Sequence, residues 1–204
     1  MNFNRSWFPA SSNANNFGWD PLTKTHNDAS IWPRIHLAND YWPTDGKHLA
    51  HPISTIVSGP MTFINNDGTG NSILKQTAGD FEVMYYHLYR EELSAEIIAA
   101  CTVPNTFVQA GTVIGPVGDV GIGHGRHVHL VIRAKPYVNL EPLLGLGWDE
   151  NRFSDLAAQY GPVFIEKANA PTRQILKINK DVIFRHSGYN GPLWYYINPA
   201  RVLG

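Results

Sequence analysis

GHGRHVHLVIR, residues 123–133, sets three of the chain's nine histidines within six positions and then runs into apolar sequence. Side chains of a strand alternate between its two faces, so His127 and His129 share one face while Val128, Leu130 and Ile132 share the other. One face suits a core. The other presents two imidazoles about 7 Å apart, at about 3.3 Å per residue. Metal ligation, proton transfer and plain solvation are all open to such a pair. Composition alone does not choose among them, because nine histidines in 204 residues give about 0.4 His-x-His pairs by chance.

The sequence around this stretch is β-rich. HPISTIVSG, MTFINNDGTGNSILKQ, FEVMYYHLY and TFVQAGTVIGPVG are short runs broken by Gly and Pro, with NNDGTGN as a turn signal. Strand and turn signals this dense leave no room for crossover helices, so residues 31–145 predict a mainly β fold, a compact antiparallel sheet or sandwich. YREELSAEIIAAC is the one helical-looking stretch there, with a loop containing a turn of helix as the alternative. Residues 1–30 are rich in Asn and Ser with scattered aromatics (Trp7, Phe8, Phe17, Trp19) and predict an irregular arm lying against the body. Residues 146–204 predict a small mixed extension. It holds a short helix in DENRFSDLAAQYG, the run RQILKINKDVIFRHSG and an aromatic tail, where FRHSGYNGPLWYY reads as a packing hairpin before a ligand platform.

Composition bounds the function. Sixteen Lys and Arg against seventeen Asp and Glu leave a net charge of −1, no electrostatic footprint for nucleic acid or an anionic membrane. No window approaches the eighteen apolar residues of a membrane span, and the N-terminus lacks the apolar centre of a secretory signal, so no export route is visible in the chain. The single cysteine, Cys101, excludes an intramolecular disulfide and any multi-cysteine metal site. It ends an apolar run, which predicts an inert, buried thiol.

Partners for the His pair lie upstream. RIHLAND holds His36 and Asp40, and MYYHLY holds His87 among aromatic residues. Singly each has an ordinary explanation, a turn histidine or an imidazole at the edge of the core. In order they form a succession: His-x-x-x-Asp, Tyr-x-His-Leu, the run VQAGTVIGPVGDVG, then His-x-His-Leu. That succession, from about residue 34 to 133, resembles the lysostaphin-type, or LytM-like, zinc peptidoglycan endopeptidases, with Gly111, Gly115 and Gly118 where the family turns between strands.

The resemblance implies zinc held by His36, Asp40 and His129, with His87 and His127 acting on the reaction without binding the metal. It also implies a mostly antiparallel β domain with the metal in a groove floored by the sheet. The chemistry is self-consistent. Two His and one Asp leave a fourth position for water on a catalytic zinc ion. The sequence lacks His-Glu-x-x-His, so the carboxylate base of helical zinc peptidases is missing, and imidazoles are the natural proton carriers.

Departures from the family pattern fall around the site. Ala38 stands where glycine is usual, Arg126 where proline is common, Val131 where an acidic residue often follows, and His124 is an extra loop histidine. Arg126 and His124 are expected at the groove rim. His26, His48, His51 and His186 have no motif around them and are expected to be structural or superficial. The Asn-rich arm carries side chains able to occupy a metal's open position.

Three function classes follow. The first is a zinc endopeptidase cutting stem or cross-bridge peptides of peptidoglycan, acting at the cell wall (periplasmic, extracellular or virion-associated), with a phage-encoded enzyme among the sources it fits. Its partner is a peptidoglycan peptide, with no nucleic acid and no membrane span. The second is a catalytically inactive regulatory or structural module of the same fold, whose signature is loss of a site residue. The third is a lipoyl-type carrier, which lacks an attachment lysine here. The sequence leaves the oligomeric state and the cleaved bond open.

Overall fold

The structure is a computed structural model that describes residues 2–8, 12–14, 38–64, 72–119, 125–135, 138, 163–165, 173–178, 183–187 and 193–203. The first strands are β1 (Ser12–Ala14), β2 (Asn39–Pro43), β3 (Ile53–Ser54), β4 (Gly59–Ile64), β5 (Ser72–Ala78) and β6 (Phe81–Leu88). Helix α1 (Ala95–Thr102) precedes β7 (Phe107–Val108), β8 (Val113–Gly115) and β9 (Val128–Ala134). β10 (Val163–Ile165), β11 (Arg173–Ile178), β12 (Ile183–Ser187), β13 (Leu193–Ile197) and a short α2 (Pro199–Leu203) follow. Every strand pairing among them is antiparallel, as the density of turn signals predicts.

One large sheet runs in the order β10-β11-β12-β13-β9-β6-β5-β4-β7, while β3 and β8 form a separate two-stranded ribbon. β9 sits at its heart. β6 lines one edge of β9 from Phe81↔Ala134 to Tyr86↔His129. The other edge is shared, with β2 on the His129 end and β13 on the Ala134 end. The strands after residue 146 therefore continue the same sheet instead of forming a separate layer.

The alternation read from the sequence decides which face is core. Val128, Leu130 and Ile132 are fully buried and pack with Val83, Tyr85, Leu74, Met61 and Ile114. Burying each such aliphatic side chain stabilises the fold by about 1.5–3 kcal/mol. Tyr85 brings a hydroxyl into this core, and that hydroxyl accepts the Ile56 N–H at 2.8 Å. Burial pushes its phenol pKa well above the ordinary value.

YREELSAEIIAAC resolves into helix. Ser94 caps α1 by accepting the Ile97 N–H, and the helix buries Ile97 and Ala100. Cys101 on its last turn is half-buried, and desolvation pushes its thiol to about 11, the inert thiol expected. Residues 2–8 of the arm lie against the body: Trp7 is buried, its carbonyl accepts the Ser54 N–H at 2.8 Å, and its ring meets Tyr41 edge-on. Part of the arm is nonetheless regular, because β1 pairs with β2. The predicted hairpin of FRHSGYNGPLWYY is the β12–β13 pair. The short helix of DENRFSDLAAQYG and most of the NNDGTGN turn lie outside the described residues. Among the described residues no helix is long and apolar enough to cross a membrane.

Candidate metal centre and histidine cluster

β9 and β2 place the first two site residues opposite one another. Asp40 and His129 are register partners, so their side chains emerge on the same face of the sheet. His129 Nδ1 lies 2.9 Å from Asp40 Oδ1; without a metal the Nδ1–H donates to the carboxylate, and with a cation between them the same nitrogen would carry no proton and offer its lone pair. Asp40 is buried, with its side chain 7% exposed. A carboxylate so far from water requires a compensating positive partner.

His127 follows from the same alternation. Its N–H donates to the Gly118 carbonyl at 2.7 Å, an isolated bridge that extends the strand by one residue. Its ring is buried, and Nδ1 donates to the Gly125 carbonyl at 2.8 Å. That bond fixes the tautomer of the neutral ring and leaves the lone pair on Nε2, which faces Asp40 Oδ2 at 3.9 Å.

His87 arrives by a different route. Along β5 and β6, Leu74 pairs with Tyr85 and Ser72 with Leu88, so Tyr86 and His87 together oppose the single residue Ile73. This is a β-bulge, which bends the strand and re-aims a side chain. Tyr86 pairs with His129 and shares its face. Strict alternation would send His87 into the core beside Tyr85. Instead His87 adopts φ 69°, in the left-handed region, and its ring stands 4.9 Å from that of His127 and 5.7 Å from that of His129. A non-glycine residue there costs about 1–2 kcal/mol. Leu88 then returns to the core, fully buried.

The structure thus brings together four of the five residues expected at the site: Asp40, His87, His127 and His129. The fifth, His36, lies outside the described residues, as does His124. Among the described residues no three His, Cys, Asp or Glu side chains form a metal-holding group by themselves. Asp40 and His129 nevertheless suit one ion. Their facing donor atoms are 2.9 Å apart, near the roughly 3.3 Å that separates two donors on one tetrahedral zinc with bonds of about 2.0–2.1 Å. The pair also supplies a hard oxygen and an imidazole nitrogen, the donor types that zinc takes.

Tyr86 closes the cluster edge-on to His129 at 5.2 Å. Arg126, expected at the rim, is held by Glu92 through two contacts of 2.7 and 2.9 Å and lies over the Tyr89 ring. The Tyr89 hydroxyl in turn donates to Asp119. This network anchors the chain just before His127, and the sequence reading missed Glu92, Tyr89 and Asp119. Their only sequence signal is an unusual arginine in front of the His pair, which needs an acidic partner that spacing does not name. His51 pairs with Asp45 at 2.8 Å away from the cluster, the superficial role expected of it.

No protein-family model and no curated protein matches the chain. Solved structures do. A zinc-containing peptidase from Vibrio cholerae is 18% identical, with 65% of this chain and 36% of that one covered, at a TM-score of 0.48. The chain thus spans little more than a third of that protein's length. The catalytic domain of the antimicrobial peptidase lysostaphin from Staphylococcus simulans is 19% identical, covering 60% and 81% at a TM-score of 0.41. The whole lysostaphin is 16% identical, covering 89% and 86% at a TM-score of 0.42.

Proposed function

We propose that the chain is a zinc-dependent endopeptidase that hydrolyses peptide bonds in the stem or cross-bridge peptides of peptidoglycan. The observation that carries this reading is the convergence of Asp40, His129, His127 and His87 on one face of the sheet, with Asp40 and His129 joined at 2.9 Å. His36, Asp40 and His129 would hold the zinc ion. Bound there, zinc supplies Lewis acidity, polarising a carbonyl and making water nucleophilic near neutral pH.

The remaining chemistry belongs to the chain. His127 takes the proton of the attacking water at Nε2, the nitrogen left basic by the bond of Nδ1 to Gly125, and returns it to the departing amine as the C–N bond breaks. His87, with its ring beside that of His127, donates to the oxygen of the scissile carbonyl as negative charge develops there. Tyr86 packs against His129 and limits its rotation. Residues 31–145 form the catalytic unit in this reading, with residues 1–30 as an arm and 146–204 as an extension. The place of action is the cell wall, whether periplasmic, extracellular or on a virion.

Incubating the zinc-loaded protein with purified cell walls and, separately, with casein tests the substrate. Release of soluble peptide fragments with new amino termini from walls, and little from casein, is the expected result. Efficient casein cleavage beside untouched walls contradicts it.

A further inference from the structure

We propose that Gly118 is a positioning residue for the two non-ligand imidazoles, seating His87 and His127 against each other through backbone contacts that only a residue without a side chain permits. The inference rests on the reading of His87 and His127 given above and adds a third residue to it.

Two observations meet at Gly118. Its carbonyl accepts the His127 N–H at 2.7 Å, the single bridge that holds His127 ahead of β9. A Cβ built on Gly118 would fall 2.0 Å from the His87 carbonyl oxygen, 3.1 Å from its carbon and 3.2 Å from the Leu88 Cα. All three atoms are backbone, so no side-chain rotation relieves the overlap. The Gly118 backbone is therefore wedged between the two histidine-bearing segments, bonded to one and in contact with the other.

The contact falls at the one residue of β6 that has left regular geometry, His87 at φ 69°. A left-handed residue persists only where its surroundings hold it. A methyl group at position 118 would drive the His87 peptide away by about an ångström, since unbonded carbon and oxygen need roughly 3.0 Å or more. The ring of His87 would leave the position 4.9 Å from His127, and displacements of about 1 Å at a reacting centre cost on the order of 10²-fold in rate.

Gly59 provides a matched control. A Cβ there would lie 1.9 Å from the Thr77 carbonyl oxygen, an equally severe backbone overlap, but between strands β4 and β5, which carry no site residue. Gly118→Ala and Gly59→Ala, each zinc-loaded, are compared with the wild type for thermal stability, wall-cleavage rate and the NMR cross-relaxation between carbon-bound ring protons of His87 and His127. The expected result is comparable destabilisation in both variants, with cross-relaxation lost and rate reduced at least tenfold only in Gly118→Ala. Placed on His87→Ala, Gly118→Ala should lower the rate no further by way of His87. Retained cross-relaxation in Gly118→Ala, or equal rate losses in the two glycine variants, overturns the proposal.

If Gly118→Ala does not fold, His87→Gly is added, because glycine at 87 frees the opposing peptide to move; recovery of folding supports the contact, and no recovery overturns it. A wild type that cleaves no walls would sink the peptidase reading alone, since the ring contact is read without any substrate.

Discussion

His129 and His87 stand 5.7 Å apart, ring to ring, yet opposite rules put them there. His129 sits in an unbroken strand, where alternation sends Leu130 into the core and the imidazole to the other face. His87 sits where alternation fails: a bulge and a left-handed backbone turn it away from the core it would otherwise enter. The regular position asks nothing unusual of the backbone. The irregular one stores strain, which neighbours such as Gly118 must hold in place.

The largest effect expected from separating these two regions is on rate. His127→Ala and His87→Ala should each lower wall cleavage on the order of 10²-fold, the usual size for losing positioned proton transfer or oxyanion support, while both proteins remain folded. Initial rates of fragment release check it. A rate unchanged in either variant removes that histidine from the mechanism.

A smaller effect, of opposite sign, should appear in stability. His87→Gly relieves the left-handed residue and should be about 1 kcal/mol more stable than His87→Ala, which keeps the strain. For a domain of this size that corresponds to roughly 2–4 °C in Tm. The same comparison at position 129, in regular strand, should reverse, with glycine the weaker variant. Thermal melts of the four variants decide it, and a gain from glycine at both positions would erase the distinction.

The smallest effect belongs to Arg126. Its paired contacts with Glu92 leave both side chains about a quarter exposed, so Arg126→Gln should cost under about 1 kcal/mol. The loss should shrink as salt is added, and Glu92→Gln should reproduce it. A cost of several kcal/mol, insensitive to salt, would mean that Arg126 supports His127 by packing and not by charge.

This contrast also explains how much could be read from the residues alone. Antiparallel β structure follows from the density of turn signals, and the core face of β9 and the shared face of His127 and His129 from a period of two that the sequence displays openly. The pairing of Asp40 with His129 was legible only through the order of motifs, because 89 residues separate them and nothing local records a cross-strand partner. The bulge at His87 has no pattern of its own, since MYYHLY reads as plain strand. The strands after residue 146 carried strand signals but no cue that β13 would add to the Ala134 end of β9 beside β2. Edge choice depends on which surfaces remain open once the centre has formed.

In the proposed function His36, Asp40 and His129 hold zinc, with His87 and His127 beside the site, not on it. Zinc content per chain tests it most directly, measured by elemental analysis after reconstitution and removal of free metal, on the wild type, His129→Ala and His127→Ala together. About one zinc per chain is expected in the wild type and in His127→Ala, and a large loss in His129→Ala. Equal loss in both variants, or no stoichiometric zinc in the wild type, would contradict it.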